Sequence, residues 1–374
     1  MKVLIHGTGF AGQGHTDAFR WAGADVVGMV GRTEHVVHDV ADKMAIPHAG
    51  TDWAAALDAC QPDIVSIATP GGAHFEVIKQ ALARGCHVFV DKPMTHSGET
   101  AVELRDLAQA KGVKTAYAAS FRYAPSILHA KRLVAESAIG EPTEVECVSH
   151  FNLDRNIPFG WSHEAAAGGG RLNNNFTHTL SIVASVVGDD IQSIIGEVRD
   201  DLGRAPIVEG VHNFMTRRDF IPDDLDDPTL KWGGSDVEWS YTVLAKLGSP
   251  FAPKPVSVLF KHGGLVPRFH DDHIVFYGTK GAIYIKGHYG SGQLSLYQDG
   301  AWVDQDLPED IKAANPDVKG ETEQCWHYLV REFVADIQGK DVAPYPTFKD
   351  GAQYQQIIDV IRRNDNWTDV TDLA

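Results

Sequence analysis

The sequence predicts an α/β protein with two domains: a parallel, doubly wound sheet comes first, and an α+β domain with a large, mostly antiparallel open sheet follows. The chain has 374 residues, more than the roughly 250–300 residues at which a single core stops growing. Apolar strands alternate with helices over residues 1–120, and the pattern changes after Ser120. We therefore expect a first domain at residues 1–121 and a second at residues 122–374.

Five short apolar segments of the first domain are predicted strands. They are residues 2–6, 25–30, 63–68, 87–90 and 114–119. Helical segments separate them, and Thr33 and Ser97 precede two of these segments as predicted N-caps. Strands that are apolar throughout are typical of a parallel sheet with helices on both faces. Ligands of such sheets bind beyond the carboxyl ends of the strands.

Alternating apolar and polar residues mark the strands expected in the second domain. Glycine-bearing turns such as residues 277–281 join several of them, which favours antiparallel pairing. The predicted strands are residues 144–150, 191–198, 237–246, 256–261, 273–277, 282–286 and 294–297, and helices are expected at 124–136, 171–187, 321–336 and 349–363.

The charge balance and the cysteine content limit the classes of function. The chain has 33 Lys and Arg residues against 50 Asp and Glu, a formal net charge of −17, which disfavours nucleic-acid and anionic-membrane partners. Because Cys60, Cys86, Cys147 and Cys325 are far apart, we expect neither a disulfide framework nor a metal site. No apolar run predicts a signal peptide or a membrane span, and a cytoplasmic location is expected.

The first strand leads into a glycine-rich turn that opens a helix. The turn comprises Gly7, Thr8, Gly9, Phe10, Ala11 and Gly12, a G-x-G-x-x-G motif. In this context Gly7 permits the tight turn, Gly9 lets a pyrophosphate approach the backbone, and Gly12 lets the helix pack on the strand. The positive end of the helix dipole favours the phosphates. These residues predict a Rossmann dinucleotide-binding domain, and a plain strand-to-helix turn is the alternative.

The end of the second strand bears on the choice of cofactor. NAD-binding domains usually place an acid there to accept from the ribose 2′-hydroxyl, whereas this chain has Arg32 and Thr33. A guanidinium suits a 2′-phosphate, so NADP is favoured, with NAD as the second choice. The alternative is that Arg32 is a solvated loop residue.

Two further strands end in loops that would border the nicotinamide half of a dinucleotide. The first loop contains Ala68, Thr69, Pro70 and His74, and the second contains Asp91, Lys92 and Pro93, which is a candidate for a cis peptide bond. A lysine at that position faces the crevice, where it can donate to a substrate hydroxyl and stabilise a developing alkoxide. The alternatives are a helix-capping turn with a surface or capping His74, and a solvated lysine.

Three consecutive glycines, residues 168–170, lead into a helix that carries the second candidate catalytic group. Asn174 and His178 are four residues apart, so they share one face of that helix. A histidine with its ordinary pKa near 6.5 is a suitable proton acceptor when an alcohol is oxidised. A structural histidine is the alternative.

The order of these motifs resembles that of the Gfo/Idh/MocA oxidoreductases, the relatives of glucose–fructose oxidoreductase and inositol dehydrogenase. The resemblance extends over nearly the whole chain: residues 7–15, 63–74 and 85–94 in the first domain, 120–125 between the domains, and 139–142 at the start of the second sheet. Asp91-Lys92-Pro93 stands where the family usually has Glu-Lys-Pro.

The resemblance implies hydride transfer between nicotinamide C4 and a carbinol or keto carbon of a sugar, polyol or related compound. It implies that His178 exchanges the hydroxyl proton, that Lys92 orients the hydroxyl, and that no metal is needed. It also implies a homodimer or homotetramer assembled through the open face of the second sheet. Further candidates near the motifs are Arg122 for the cofactor, and Tyr123, Trp161, His163, Asn174 and Asn175 for the substrate.

Asn174 is the main departure from the family pattern, which often has Asp four residues before the histidine. An amide cannot accept a proton as a carboxylate does, although it can hydrogen-bond a substrate hydroxyl. Phe176 likewise stands where a glycine is common. The resemblance leaves a nicotinamide-dependent glycosidase of the same family as one alternative to a dehydrogenase. A non-catalytic ligand sensor is another, which Asn174 supports and the retention of Lys92 and His178 disfavours. The insert at residues 211–235 is expected to shape the pocket or a subunit contact.

Overall fold

The computed structural model describes residues 1–211, 214–267, 272–314, 316–318 and 320–363. Within these ranges the chain forms a six-stranded sheet, an eight-stranded sheet and a separate two-stranded ribbon. The first sheet is parallel and the second is mostly antiparallel, so the predicted fold class is confirmed. None of the helices in the described part of the chain has the length and apolar character needed to span a bilayer.

The strand order of the first sheet reverses at its centre. Its strands are β1 (Lys2–His6), β2 (Asp25–Val30), β3 (His48–Gly50), β4 (Ile64–Ile67), β5 (His87–Val90) and β6 (Thr115–Tyr117). The connecting helices are α1 (Phe10–Trp21), α2 (Glu34–Lys43), α3 (Trp53–Cys60), α4 (His74–Ala83) and α5 (Gly98–Lys111). The order β3-β2-β1-β4-β5-β6 reverses between β1 and β4, which leaves a crevice at their carboxyl ends.

Local capping explains some element boundaries and corrects one expectation. The sequence-based strands and helices do not include β3 and α3. Helix α3 begins after Asp52, whose carboxylate accepts the N–H of Ala55 at 3.0 Å. Ser97 caps α5 by accepting the N–H of Thr100 at 3.4 Å. Thr33 occupies the N-cap position of α2, but its side chain accepts no N–H there.

The second sheet contains one parallel pair among antiparallel neighbours. The strands of this part of the chain are β7 (Pro142–His150), β8 (Asp190–Arg199), β9 (Arg204–Pro206), β10 (Trp232–Gly234), β11 (Ser240–Gly248), β12 (Val256–Gly263), β13 (His273–Gly278), β14 (Ala282–Lys286), β15 (Leu294–Gln298) and β16 (Ala301–Gln305). β9 and β10 form the ribbon, and the others follow the order β16-β15-β14-β13-β7-β12-β11-β8, with β7 and β12 parallel. The helices are α6 (Pro125–Ala135), α7 (Thr177–Val187), α8 (Glu309–Ala314), α9 (Glu321–Ile337) and α10 (Phe348–Arg363).

The last two helices return to the first sheet. Helix α9 packs along α1, and α10 packs on α5 and β6 while also touching β8. Trp326, Leu329 and Phe333 of α9 lie in one buried cluster with Phe19 and Phe89 of the first domain. The apolar layer on this side of the parallel sheet is therefore completed by residues from the far end of the chain. The division at residues 121 and 122 stays a prediction.

The eight-stranded sheet has a buried face and a face with exposed apolar side chains. Along β11, Val243 and Ala245 are buried, whereas Leu244 between them is 54% exposed. Leu244 stands in register with Ile195 of β8 and Leu259 of β12. On strands β13, β15 and β16, the aromatic side chains of Tyr277, Tyr297 and Trp302 stand in one register row and are also exposed.

Candidate active site

The turn between β1 and α1 has the shape of a dinucleotide cradle. Gly7 has a φ of +126°, and a Cβ there would lie 2.6 Å from the carbonyl oxygen of Ala68. A Cβ on Gly12 would lie 2.0 Å from the carbonyl oxygen of Gly7, so turn and helix are in direct backbone contact. The Cβ position of Gly9, by contrast, has no atom of the described chain within 4 Å. These residues fit a pyrophosphate at the N-terminus of α1.

The loops after β4 and β5 lie beside this turn. Backbone hydrogen bonds of 2.8 Å tie Ala68 to β1 and Asp91 to β4. Asp91 turns back on its own loop, because its carboxylate accepts the N–H of Lys92 at 2.8 Å. The bond between Lys92 and Pro93 is cis, in agreement with the sequence-based expectation. The glycine-rich turn and both loops therefore share the carboxyl edge of the sheet.

His74 joins the two loops to each other. Its Nε2 lies 2.6 Å from the carbonyl oxygen of Thr69, and its Nδ1 lies 3.1 Å from that of Met94. Burial lowers the pKa of His74 although both carbonyls act in the opposite direction. The shorter contact, with the carbonyl oxygen of Thr69, places a proton on Nε2. Contact of His74 with the cofactor stays a prediction.

Three candidate catalytic residues converge at the crevice. Lys92 Nζ donates to Asn174 Oδ1 at 3.2 Å. The imidazole of His178 packs edge-on against Phe121 and lies beside Tyr289, with ring centroids 4.7 Å and 5.1 Å away. Its Nδ1 is buried and has no hydrogen-bond partner within the described part of the chain. The fold thus brings Lys92 of the first domain to the helix that carries Asn174 and His178.

Burial favours the uncharged form of both members of this pair. It is the largest cause that holds the pKa of His178 well below 6.5, and the charges of Lys92, His288 and Arg171 lower that pKa further. Burial also lowers the pKa of Lys92; Asp91 opposes this shift and Arg171 adds to it. A neutral imidazole has a lone pair that can accept a proton, and a lysine with a lowered pKa donates more readily.

The helix of Asn174 and His178 begins with a wider turn than the sequence pattern indicates. Residues 171–187 are helical as predicted, but Leu172–Phe176 is a π-helix and only Thr177–Val187 is α-helical. Such π turns are rare in proteins overall, and those that occur are often found at functional sites. Here the turn directs three consecutive asparagines to different surroundings. Asn173 forms hydrogen bonds with Gly169 and α10, and Asn174 accepts a hydrogen bond from Lys92. Asn175 accepts a hydrogen bond from Ser149 of β7.

Asn175 is buried, and both ends of its amide are engaged by the protein. Its Oδ1 accepts from the hydroxyl of Ser149 at 3.2 Å and from that of Tyr241. Its Nδ2 donates to the hydroxyl of Tyr289 at 3.0 Å. The amide therefore fixes the ring that lies beside His178, and contact of Asn175 with a substrate stays a prediction.

Arg171 is buried at the start of the same helix. Its Nε donates to His262 Nε2 at 2.9 Å, and its guanidinium lies 4.5 Å over the ring of Phe151. Because His262 accepts from Arg171 through Nε2, we assign its proton to Nδ1, which lies 2.9 Å from the hydroxyl of Ser149. Burial, aided by the charge of Arg171, holds the pKa of His262 well below its usual value. One line of hydrogen bonds thus connects Arg171, His262, Ser149, Asn175 and Tyr289.

Several predicted cofactor and substrate residues contact other parts of the protein. Phe10 packs on Trp326 and Tyr123 stacks on Tyr328, with ring centroids 5.3 Å and 5.7 Å apart. Arg122 donates to the hydroxyl and the carbonyl of Ser181, at 3.0 Å and 3.2 Å. These contacts tie the segment between the domains to α7 and α9.

Arg32 remains available to a ligand. Its side chain is exposed and forms no hydrogen bond or ion pair with the described residues. The preceding Gly31 abuts the glycine-rich turn, since its Cβ would lie 2.8 Å from the side chain of Thr8. Gly31 therefore lies directly beside the glycine-rich turn. Arg32 and Thr33, which follow it in the chain, stand where a ribose 2′-substituent is expected.

Part of the 211–235 insert packs on the loop that contains Trp161 and His163. The ring of Trp161 contacts that of Phe214, with centroids 5.2 Å apart. His163 is buried beside Trp239, and burial, aided by the charge of Arg217, lowers its pKa to about 4. Because Phe214 and Arg217 belong to the insert, its described residues pack on this loop; His212 and Asn213 lie outside the described residues.

Three buried residues of the site lack a recognisable sequence motif: Arg171, Arg217 and His262. The clearest available signal is Arg171 itself, a charge placed directly between a glycine run and an otherwise uncharged helix. Arg217 and His262 lie far along the chain, and their approach to this helix depends on the fold.

Comparison with known proteins agrees with this architecture. Residues 1–119 match the model of an oxidoreductase family with an NAD-binding Rossmann fold, and residues 127–284 match the GFO/IDH/MocA C-terminal domain. The chain is 27% identical over 201 residues to levoglucosan dehydrogenase of Pseudarthrobacter phenanthrenivorans, which covers 50% of this chain and about half (52%) of that protein. It is 24% identical over 390 residues to an uncharacterised oxidoreductase of Synechocystis, covering 100% of this chain and 97% of the relative.

A solved structure shows the same fold over both domains. Levoglucosan dehydrogenase in complex with NADH and L-sorbose superposes with a TM-score of 0.80 at 19% identity, covering 97% of this chain and 96% of the other. The two family models together match more than half of the sequence, and they meet in the segment that joins the two sheets. The chain therefore belongs to the Gfo/Idh/MocA oxidoreductase family.

Proposed function

We propose that this protein is a nicotinamide-dependent dehydrogenase or reductase that acts on a carbinol or keto carbon of a sugar, polyol or related compound. The observation that carries the proposal is the convergence of Lys92, Asn174 and His178 at the carboxyl edge of the first sheet. The relative named levoglucosan dehydrogenase supports the class of substrate. We assign the cofactor to the glycine-rich turn and to the loops after β2, β4 and β5.

A nicotinamide bound there supplies the hydride acceptor or donor. Lys92 Nζ has two further N–H donors besides the one directed to Asn174, and one of these orients the substrate hydroxyl. Its positive charge stabilises the oxygen as the proton leaves. Neutral His178 accepts that proton during oxidation and returns it during reduction. Phe121 and Tyr289 hold the imidazole in place throughout.

The test of this mechanism is turnover by variants of the pair. With a panel of sugars, polyols and keto forms, we expect His178→Ala and Lys92→Met each to lower kcat by about 10²–10⁴-fold, followed as absorbance of reduced nicotinamide. Lys114→Met is the matched control, because Lys114 only pairs with Asp336 at the surface, at 2.8 Å. Undiminished turnover in both pair variants would refute the mechanism. A glycosidase would cleave substrate with no net absorbance change, and a sensor would bind without turnover.

We further propose that NADP is preferred over NAD, on the strength of the exposed, uncommitted Arg32. An arginine–phosphate hydrogen bond is worth roughly 1.5–3 kcal/mol, so Arg32→Ala should weaken NADP binding by about 10–100-fold while NAD binding changes little. Arg20→Ala, on the exposed side of α1, serves as the control. Equal weakening of both cofactors would contradict the preference.

We also propose that the chain self-associates, as a homodimer or homotetramer, through the exposed face of the eight-stranded sheet. Support comes from the exposed apolar row of Ile195 and Leu244 and from Trp302 at the other end. Monomeric proteins rarely leave large contiguous apolar patches in water.

A further inference from the structure

Two buried arginines, Arg171 beside the catalytic pair and Arg217 beside Arg171, have only neutral hydrogen-bond partners among the described residues. Arg171 is 5% exposed and Arg217 is 8% exposed. Within the described part of the chain, Arg171 donates to the imidazole of His262 and lies over Phe151. Arg217 donates to the hydroxyl of Ser162 at 2.7 Å and lies over a phenyl ring. A buried cation is unfavourable unless an opposite charge compensates it.

The carboxylates of this region are committed to other groups. Glu238 is the carboxylate that acts on the pKa of Arg171. Its two oxygens each accept from Arg362 at 2.9 Å, and one also accepts the N–H of Leu172 at 2.8 Å. Asp272 accepts a backbone N–H at 2.8 Å and lies 3.2 Å from Nδ1 of His288. Among the described residues, neither Arg171 nor Arg217 therefore has a carboxylate hydrogen-bonded to its guanidinium.

The charge of Arg171 lies close to the reacting groups. Arg171 stands at the start of the helix that carries Asn174, the acceptor of Lys92 Nζ, and its charge lowers the pKa of both Lys92 and His178. An oxidised nicotinamide ring adds one more positive charge at the same place. In a chain with a net charge of −17, this concentration of cations is a local feature of the crevice.

The donors of Arg171 are arranged to receive a ligand. The bond to His262 occupies Nε, and the contact with Phe151 fixes the plane of the guanidinium. Nη2 is buried and has no hydrogen-bond partner among the described residues. A planar guanidinium held in this way matches two oxygens of a carboxylate or a phosphate.

We infer that Arg171 binds an anionic oxygen group of the substrate, so that the substrate is an acidic sugar or polyol bearing a carboxylate or a phosphate ester. The inference rests on the proposed function and narrows it from sugars in general to acidic ones. Arg171 lies three residues before Asn174 on the same helix, so one ligand would meet Lys92 and His178 at its hydroxyl and Arg171 at its anionic group. Arg217 reinforces the attraction without touching the catalytic pair.

The test compares substrates that differ only in charge. Gluconate and glucuronate are assayed against glucitol and glucose, with glucose 6-phosphate as the arm that separates phosphate from carboxylate. We expect wild type to prefer an acidic member by at least about tenfold in kcat/KM, and Arg171→Met to lower the ratio of acidic to neutral substrate by about 10–100-fold, chiefly through KM. Methionine is chosen because it keeps an unbranched apolar stem over Phe151. Arg132→Met, at an exposed pair with Asp310, should leave the ratio unchanged.

The variants also separate recognition from an indirect electrostatic effect. If Arg171 acted only through its field on His178, Arg171→Met would shift the pH profiles of acidic and neutral substrates alike and leave their ratio unchanged, which would overturn the inference. Arg171→Lys keeps the charge but loses the planar fork, and we expect it to restore only part of the ratio.

Failure of the inference and failure of the proposed function give different results. Equal turnover of acidic and neutral sugars by wild type would reject the inference and leave the dehydrogenase intact. Absence of turnover with every compound would reject the proposed function. Anion binding is then measured directly: gluconate should raise the Tm of wild type more than glucose does and more than it raises that of Arg171→Met, and equal shifts would overturn the inference.

Discussion

The two sides of the crevice are built from different parts of the polypeptide. On the side of the first sheet, the cradle is mostly backbone, with Gly7 and Gly12 in direct contact and Gly9 facing open space. On the side of the second domain, the wall is a line of hydrogen-bonded side chains from Arg171 to Tyr289. The backbone side suits what all nicotinamide dinucleotides share, whereas the side-chain side can differ between enzymes that bind different substrates.

Glycine substitutions on the backbone side should have the largest effects and should separate folding from binding. In Gly12→Ala the new Cβ meets a backbone oxygen, so we expect a loss of about 3 kcal/mol in the free energy of unfolding together with cofactor binding. Gly9 has φ −74° and ψ −171°, which alanine adopts readily. Gly9→Ala should therefore fold normally and bind cofactor about tenfold more weakly, the equivalent of one lost charged hydrogen bond. Thermal unfolding and cofactor titration measure both, and unweakened binding by Gly9→Ala would contradict the cradle.

On the side of the crevice formed by side chains, the neighbouring residues Asn174 and Asn175 should have separate roles. Asn175 should support stability and Asn174 should support activity. Asn175→Ala removes the acceptor of the Ser149 and Tyr241 hydroxyls and the donor to the Tyr289 hydroxyl, at a cost of about 1–3 kcal/mol in denaturant unfolding. Asn174→Ala removes only the bond to Lys92 and should change stability by less than about 0.5 kcal/mol while lowering turnover. Equal destabilisation by the two variants would show that the π turn does not separate their roles.

The pH dependence of alcohol oxidation should report on the charges around His178. His178 must be neutral to accept a proton, and its pKa lies below 6.5, so kcat/KM should stay level as the pH falls to 6.5 and decline only below that value. Asn174→Asp places a carboxylate beside Lys92 and raises the pKa of His178 towards its ordinary value. We expect the acid limb to move upward by about one pH unit. A wild-type limb above pH 6.5 would disagree with the buried, cation-flanked environment.

A substitution on the exposed face of the second sheet should change the oligomeric state and leave both sides of the crevice unaffected. Leu244→Lys puts a charge on the exposed row of the second sheet, and we expect it to shift the protein to smaller species in sedimentation or light scattering. The change in monomer stability should stay within about 0.5 kcal/mol, and kcat should change least of all the variants described. An unaltered oligomeric state would remove the assignment of this face to self-association.

The sequence predicts the backbone side of the site better than the side-chain side, for a physical reason. A glycine-rich turn after a strand is a local constraint, so Gly7, Gly9 and Gly12 can be interpreted from six consecutive residues. Lys92 follows from the same logic, because the carboxyl ends of parallel strands meet at one edge. Local periodicity likewise predicts most strands of both sheets and most helices, whereas β3, α3, β16 and α8 are short and carry weak patterns.

The rest depends on contacts between distant residues. The four-residue spacing of Asn174 and His178 does not reveal the π turn, in which Asn175 bonds Ser149, Tyr241 and Tyr289. His262 reaches Arg171 across 91 residues, and no local pattern records this approach. Arg122 and Tyr123 are near the motifs in sequence, yet their side chains engage α7 and α9.

The packing of α9 and α10 on the parallel sheet has a consequence for how the protein is made. Residues 321–363 leave the ribosome after residues 1–318, so one side of the first domain stays without its covering layer until they emerge. Phe19 and Phe89 would face water or a chaperone until Trp326 and Phe333 arrive. The first domain therefore matures only after residues 321–363 have been made, although its own residues precede them in the chain.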